Sequence, residues 1–225
     1  IPVYMGHGAK KINDTFNTIY PSFKSEDNGN VKEFRSGESF IIKDTEITPV
    51  HVDHSVPGAY GFIIKTPEGT IAYSGDYRFH GFKPEMTEDF LRAAKKAGAD
   101  YLMTEGTRIR ASDDAVFKKK MTESDVENAF CETMKKSQGL TCFNFSFRNL
   151  DRVRSLCNAA KRAGKVLVCN AGFGYAVDNA RGLVEGMPEI IGNPNIKIFN
   201  KDGDIADEGK RSYVYAKPYL ARTVD

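Results

Sequence analysis

Glu46-Ile-Thr-Pro-Val-His-Val-Asp-His-Ser-Val-Pro-Gly58 and, after one intervening hairpin, Ile71-Ala-Tyr-Ser-Gly-Asp-Tyr-Arg-Phe-His-Gly81 decide how this 225-residue chain folds. The run from Ile47 to Val52 reads as a strand and Ala59 to Lys65 as its return. Thr66-Pro67-Glu68-Gly69 then places proline and glycine where a type I turn favours them. Thr70 to Ser74 climbs back and delivers Asp76 to the sheet edge that holds His54. An imidazole and a carboxylate at one edge suit a borderline-soft divalent ion such as zinc, which accepts nitrogen and oxygen donors together.

The next segment repeats that placement. Thr87 can cap a helix whose first turn holds Glu88 and Asp89, with Phe90, Leu91, Ala94 and Ala97 on one side and Gly98 just past the end. Tyr101 to Thr104 follows as a short strand. A strand, helix, strand unit closes right-handed with its strands parallel, so Glu105 is expected at the same edge as Asp76.

After the charged stretch 108–121 the pattern changes. Thr122 with Asp125 resembles a capping arrangement ahead of a helical face of Val126, Ala129, Phe130 and Met134, which Gly139 ends. Leu140 to Phe145 reads as a buried strand. Leu150, Val153, Cys157 and Ala160 form a second helical stripe closed by Gly164, and Val166 to Cys169 is the next strand. The reading is a small Rossmann-like α/β layer. Asn193-Pro194-Asn195 and Asp202-Gly203-Asp204 mark turns in the tail.

Composition bounds the function classes. Against 32 basic residues stand 30 acidic ones, a net charge of +2, so no overall field demands nucleic acid as partner. Cys131, Cys142, Cys157 and Cys169 show no Cys-x-x-Cys pairing, which favours reduced, buried thiols and a cytoplasmic protein. No apolar run approaches the ~20 residues of a membrane span.

The two opening motifs resemble the metallo-β-lactamase fold, in particular its β-CASP nuclease branch, which includes ribonuclease J-like RNA-processing enzymes. Asp53-His54-Ser55-Val56-Pro57-Gly58 is similar to the family's third metal motif, and Ser74-Gly75-Asp76-Tyr77-Arg78 to the fourth, whose carboxylate bridges two metal ions. Thr104-Glu105-Gly106-Thr107 resembles the acidic motif that opens the β-CASP part, and Phe145 to Val153 resembles the inserted domain itself. The resemblance implies an α/β chain: part of a metallo-β-lactamase αββα sandwich over residues 1–115, and part of an inserted Rossmann-like β-CASP domain over 116–225. The family's first metal motif, His-x-His-x-Asp-His, has no counterpart, because the only histidines are His7, His51, His54 and His80. The late histidine motifs are absent too. The expectation is an internal piece of a longer protein, inactive by itself.

What the resemblance implies about chemistry is specific. His54 and Asp76 are the expected metal residues, and Asp76 and Glu105 the expected catalytic ones, with Glu105 orienting a histidine this chain lacks. The cofactor is two divalent metal ions, taken as zinc, with an incomplete site here. The partner is single-stranded RNA, with DNA and a homo-oligomer left open and no membrane, and Arg148 and Arg152 are the expected phosphate contacts. Plainer readings stand beside these: His54 as a structural histidine, Asp76 as a turn residue, Glu105 as a cap, both arginines as solvated helix surface. Another hydrolase of the fold, acting on a thioester or lactam, and a non-catalytic RNA-binding subunit are the alternatives. His51 is expected to pack, facing away from Val50 and Val52; His80 stays unassigned, and Gly6-His7-Gly8 reads as a plain turn. Gly172-Phe173-Gly174 follows a strand and opens a helix without the full dinucleotide fingerprint, and Lys118 to Lys120 reads as solvated surface.

Overall fold

A computed structural model describes residues 2–20, 30–107, 121–146, 148–190 and 192–199. The chain divides into two compact units: Ile1–Lys10 with Asp27–Thr122, and Lys11–Glu26 with Glu123–Asp225. Lys11–Glu26 thus groups with the C-terminal part of the chain and not with its neighbours in sequence, a division that no single cut in the sequence can express. Residues 108–120 of the expected boundary stretch, Lys118 to Lys120 among them, and the turn at 202–204 lie outside the described residues.

In the first unit, β1 (Val3–Gly6) and β2 (Val31–Phe34) pair in parallel. Helix α1 (His7–Ile19) begins directly at the end of β1, so His7 opens a helix and is not part of a plain turn; its Nδ1 lies 2.7 Å from a Glu33 carboxylate oxygen. The main sheet has the order β3 (Phe40–Ile42), β4 (Thr45–His51), β5 (Tyr60–Thr66), β6 (Gly69–Tyr73), β7 (Tyr101–Met103). β3 to β6 are antiparallel neighbours, whereas β7 runs parallel to β6 after the crossover helix α2 (Pro84–Lys96). The β5–β6 turn is the two-residue Pro67-Glu68 link, with Thr66 opposite Gly69.

Period-two alternation gives the sheet two apolar faces. Val52, Ile63 and Ala72 turn one way and meet buried Phe90 of α2, with Ala93, Ala94 and Ala97 alongside. Gly61 lies under that ring, where a Cβ would come within 2.5 Å of it. On the other face Phe34 contacts Phe40, Tyr60 and Phe62, at ring-centroid distances of 5.6, 5.0 and 5.8 Å. Edge strand β7 is less covered: Tyr101, Leu102 and Met103 are each more than half exposed.

α2 starts at Pro84, the first-turn position where a missing N–H costs nothing, so Thr87 is interior and does not cap it. Its hydroxyl is fully buried and is used elsewhere, as described below.

The second unit holds α3 (Glu123–Lys136), α4 (Leu150–Ala163), α5 (Ala171–Ala180) and the parallel pair β8 (Leu167–Asn170) and β9 (Ile196–Phe199). Its core joins Cys131 and Met134 of α3 to Leu156, Ala159 and Ala160 of α4. Asn149 caps α4 by accepting from the Arg152 N–H, and Gly164 closes it in the left-handed conformation at φ 65°. Leu140 to Phe145 forms no strand. Phe143 and Phe145 pack beside Phe130 of α3 while Leu140 stays exposed, so the alternation that imitates a strand serves to seat two rings on a helix. The four cysteines are free, with Cys131 and Cys157 buried and Cys142 exposed, against the expectation that all are covered. Burial pushes the Cys157 thiol up to about 12, which keeps it protonated and unreactive.

Candidate functional site

Three strand ends position the residues singled out by sequence. β4 and β6 are both antiparallel to β5 and therefore point the same way, and β7 is parallel to β6. His54 follows β4 past Val52 and Asp53, Asp76 follows β6 past Ser74 and Gly75, and Glu105 follows β7 past Thr104. All three emerge at one end of the sheet. Gly75 makes the turn possible: its φ is +56°, and a Cβ would come within 2.5 Å of the Tyr60 carbonyl oxygen.

At that end His54 is half-buried, with its Nδ1 3.4 Å from the Val56 amide nitrogen, and Asp76 is exposed. Glu105 is half-buried and accepts from the Thr107 N–H at 2.7 Å, while its own N–H donates to the Ser74 hydroxyl at 3.3 Å. Ser74 also receives the β7 end, because its N–H donates to the Met103 carbonyl at 2.9 Å. The donor chemistry of His54 and Asp76 fits a divalent ion, but the donor number does not. Among the described residues no three His, Cys, Asp or Glu side chains stand close enough together to hold a metal.

Sequence reasoning missed a buried network behind this end. Asp53, 3% exposed, and Arg78, 9% exposed, form an ion pair from Arg78 Nε to Asp53 Oδ1 at 3.2 Å. The other carboxylate oxygen accepts from the Gly81 N–H at 2.8 Å, and the Asp53 carbonyl accepts from the Arg78 N–H at 2.8 Å. Thr87 completes it, accepting from the Asp53 N–H at 3.0 Å and donating to the Arg78 carbonyl at 2.9 Å. The one sequence signal was opposite charge: Asp53 precedes His54, and Arg78 comes two places after Asp76.

His51 packs as its alternation implies. The His51 ring lies 4.3 Å from that of Tyr60, and burial lowers its pKa below the ordinary imidazole value. In the second unit the two arginines differ. Arg148 is exposed, with its guanidinium 4.9 Å from the centre of the Phe16 ring. Arg152 makes two hydrogen bonds to Glu123, Nε to Oε2 at 2.9 Å and an Nη to Oε1 at 2.8 Å, and that carboxylate is buried. The pairing raises the Arg152 pKa further and occupies the fork that a phosphate contact would need.

Comparison with known proteins finds relatives over most of the chain. The chain is 34% identical over 167 residues to a ribonuclease J of Mycoplasma genitalium, a match covering 73% of the chain and 28% of that protein. It is 25% identical over 175 residues to a ribonuclease J of Sinorhizobium meliloti, covering 75% and 30%. The chain is a relative of ribonuclease J. A ribonuclease J of Methanocaldococcus jannaschii is 24% identical over 192 residues, 80% of the chain and 41% of that protein. The chain thus spans between 28% and 41% of the length of these ribonuclease J proteins. The fold is also that of a solved protein of unknown function from Enterococcus faecalis V583, with a TM-score of 0.65 at 22% identity over 81% of the chain and 44% of that structure. No family model matches. The mixed α/β architecture is the one expected for the metallo-β-lactamase and β-CASP layers of ribonuclease J.

Proposed function

We propose that this chain supplies part of a β-CASP-type ribonuclease, a metal-dependent hydrolase of RNA phosphodiesters. The observation that supports it most is the delivery of His54, Asp76 and Glu105 to one end of a single sheet in a relative of ribonuclease J. In this reading His54 and Asp76 are two donors to a divalent ion, with zinc the expected metal, and other residues complete its coordination. Glu105 is a supporting group, since its carboxylate is held by its own loop. Single-stranded RNA is the proposed substrate. Arg148 is the better candidate for a phosphate contact, because Arg152 is engaged by Glu123.

Asp76→Asn tests the reading. In a protein that carries this sequence together with the remaining donors, the amide keeps the carboxylate's shape and removes its charge. Turnover is expected to fall by orders of magnitude, with RNA affinity changed little. Near-normal turnover would remove Asp76 from the chemistry.

The alternative reading is an RNA-binding subunit without catalysis. Metal content after dialysis of the complete protein separates the two, because a nuclease of this kind retains its ions and a binding subunit does not.

A further inference from the structure

We propose that Asp53 and Arg78 are positioning residues that clasp the loop carrying His54 to the loop carrying Asp76, so that the two side chains are presented as one rigid pair. The proposal rests on reading His54 and Asp76 as the working side chains of this site.

The two loops leave different strands, and neither is part of the sheet ladder where these residues stand. Backbone ladders therefore do not fix their separation. The Asp53 and Arg78 contacts do. All four backbone polar groups of the two residues are used: the Asp53 carbonyl with the Arg78 N–H, and the Asp53 N–H and Arg78 carbonyl through the single Thr87 hydroxyl. Thr87 belongs to α2, so the clasp is anchored to the helix whose Phe90 sits in the sheet core. The side chains add the Arg78 Nε contact and the Gly81 N–H contact to the same carboxylate.

Gly81 shows how closely this is built. A Cβ there would stand inside the Asp53 carboxylate and against an Arg78 nitrogen, so only glycine lets the chain donate to Asp53 at that point. Desolvation offsets much of the attraction within a buried pair, so the pair is weak evidence for stability and its proposed role here is positional. Asp53 is adjacent to His54 and Arg78 is two residues past Asp76. Tilting either member of the pair must therefore tilt a loop that carries a working side chain.

Amide hydrogen exchange on the 225-residue chain tests this, with Asp53→Asn and with the double variant Asp53→Asn/Arg78→Met, which removes both charges together and guards against simple misfolding. Glu123→Gln, which weakens the buried pair of the other unit, is the control. In both clasp variants exchange is expected to rise about tenfold or more in residues 53–58 and in residues 74–81 together, at unchanged protection of the β5 core, while the control leaves both loops unaltered. Loosening of 53–58 alone after Asp53→Asn, or of neither loop in the double variant, would overturn the clasp. A Mn²⁺ titration of a protein that carries this sequence together with the remaining donors separates this result from the reading beneath it. Paramagnetic broadening confined to the two loops supports His54 and Asp76 as donors, and its absence there sinks that assignment while the exchange data still decide the clasp.

Discussion

Arg152 and Glu123 meet through two hydrogen bonds, and the carboxylate has almost no solvent to fall back on, being 1% exposed. Removing one partner of a buried pair strands the other, at a cost of about 3–5 kcal/mol. Arg152 is partly exposed, so Glu123→Ala is expected toward the lower end of that range, read from the denaturant midpoint of the second unit. His51 gives a second residue-scale prediction with a definite sign. Its folded pKa lies below its unfolded one, because burial disfavours the imidazolium beside Tyr60. Below about pH 6.5 the unfolded chain takes up a proton that the folded chain refuses, so this part of the stability is complete above that pH and is lost as pH falls toward the folded pKa. Replacing His51 by Leu should flatten the slope of unfolding free energy against pH between about 8 and 5. An unchanged slope would show that burial at this position does not govern the acid response.

Among the elements, Gly61 and Phe90 make the most exposed claim. Gly61→Val drives a branched side chain into the ring that α2 lays on the sheet, and overpacking of this kind costs about 1–3 kcal/mol. A double-mutant cycle with Phe90→Leu should recover part of the loss; strictly additive effects would mean that the two do not touch. The strands beside this contact, and helix α4 of the other unit, were legible because their periods are distinct. Ile47 to Val52 alternates, Ala59 to Lys65 is a short apolar run rich in aromatic and branched residues, and Val153, Cys157 and Ala160 recur at helical spacing. The misses have physical causes as well. α1 opens on His7-Gly8 with no Ser, Thr, Asp or Asn to announce it, and Phe143 and Phe145 keep a strand's alternation while packing on α3. Thr87 has the chemistry of a cap, but Pro84 starts the helix three places earlier and leaves the hydroxyl for a neighbour. In the site, the positions of His54, Asp76 and Glu105 could be read from strand order. The Asp53 to Arg78 pair could not, since a contact between residues 25 apart leaves no local period.

At the level of the whole molecule, each compact unit carries its own apolar cluster, Val52, Ile63, Ala72 and Phe90 in one and Cys131, Met134, Leu156, Ala159 and Ala160 in the other. No described helix is long and apolar enough to cross a membrane. The strand that delivers Glu105 has a less welcome side. Among the described residues β7 lies last in its sheet, and its Tyr, Leu and Met side chains stand out from both faces with no proline or lysine among them. Natural sheet borders usually carry such residues as deterrents, because bare amides beside greasy side chains recruit any extended segment that drifts past. A solution of the purified chain should therefore cloud at a rate that climbs steeply with concentration, and Leu102→Lys should slow the clouding by placing a charge on that border while leaving the melting temperature close to its starting value. Turbidity of the two proteins over a concentration series decides it. Equal rates would mean that the haze starts elsewhere, and a chemist storing this protein would then gain nothing from blunting its outermost strand.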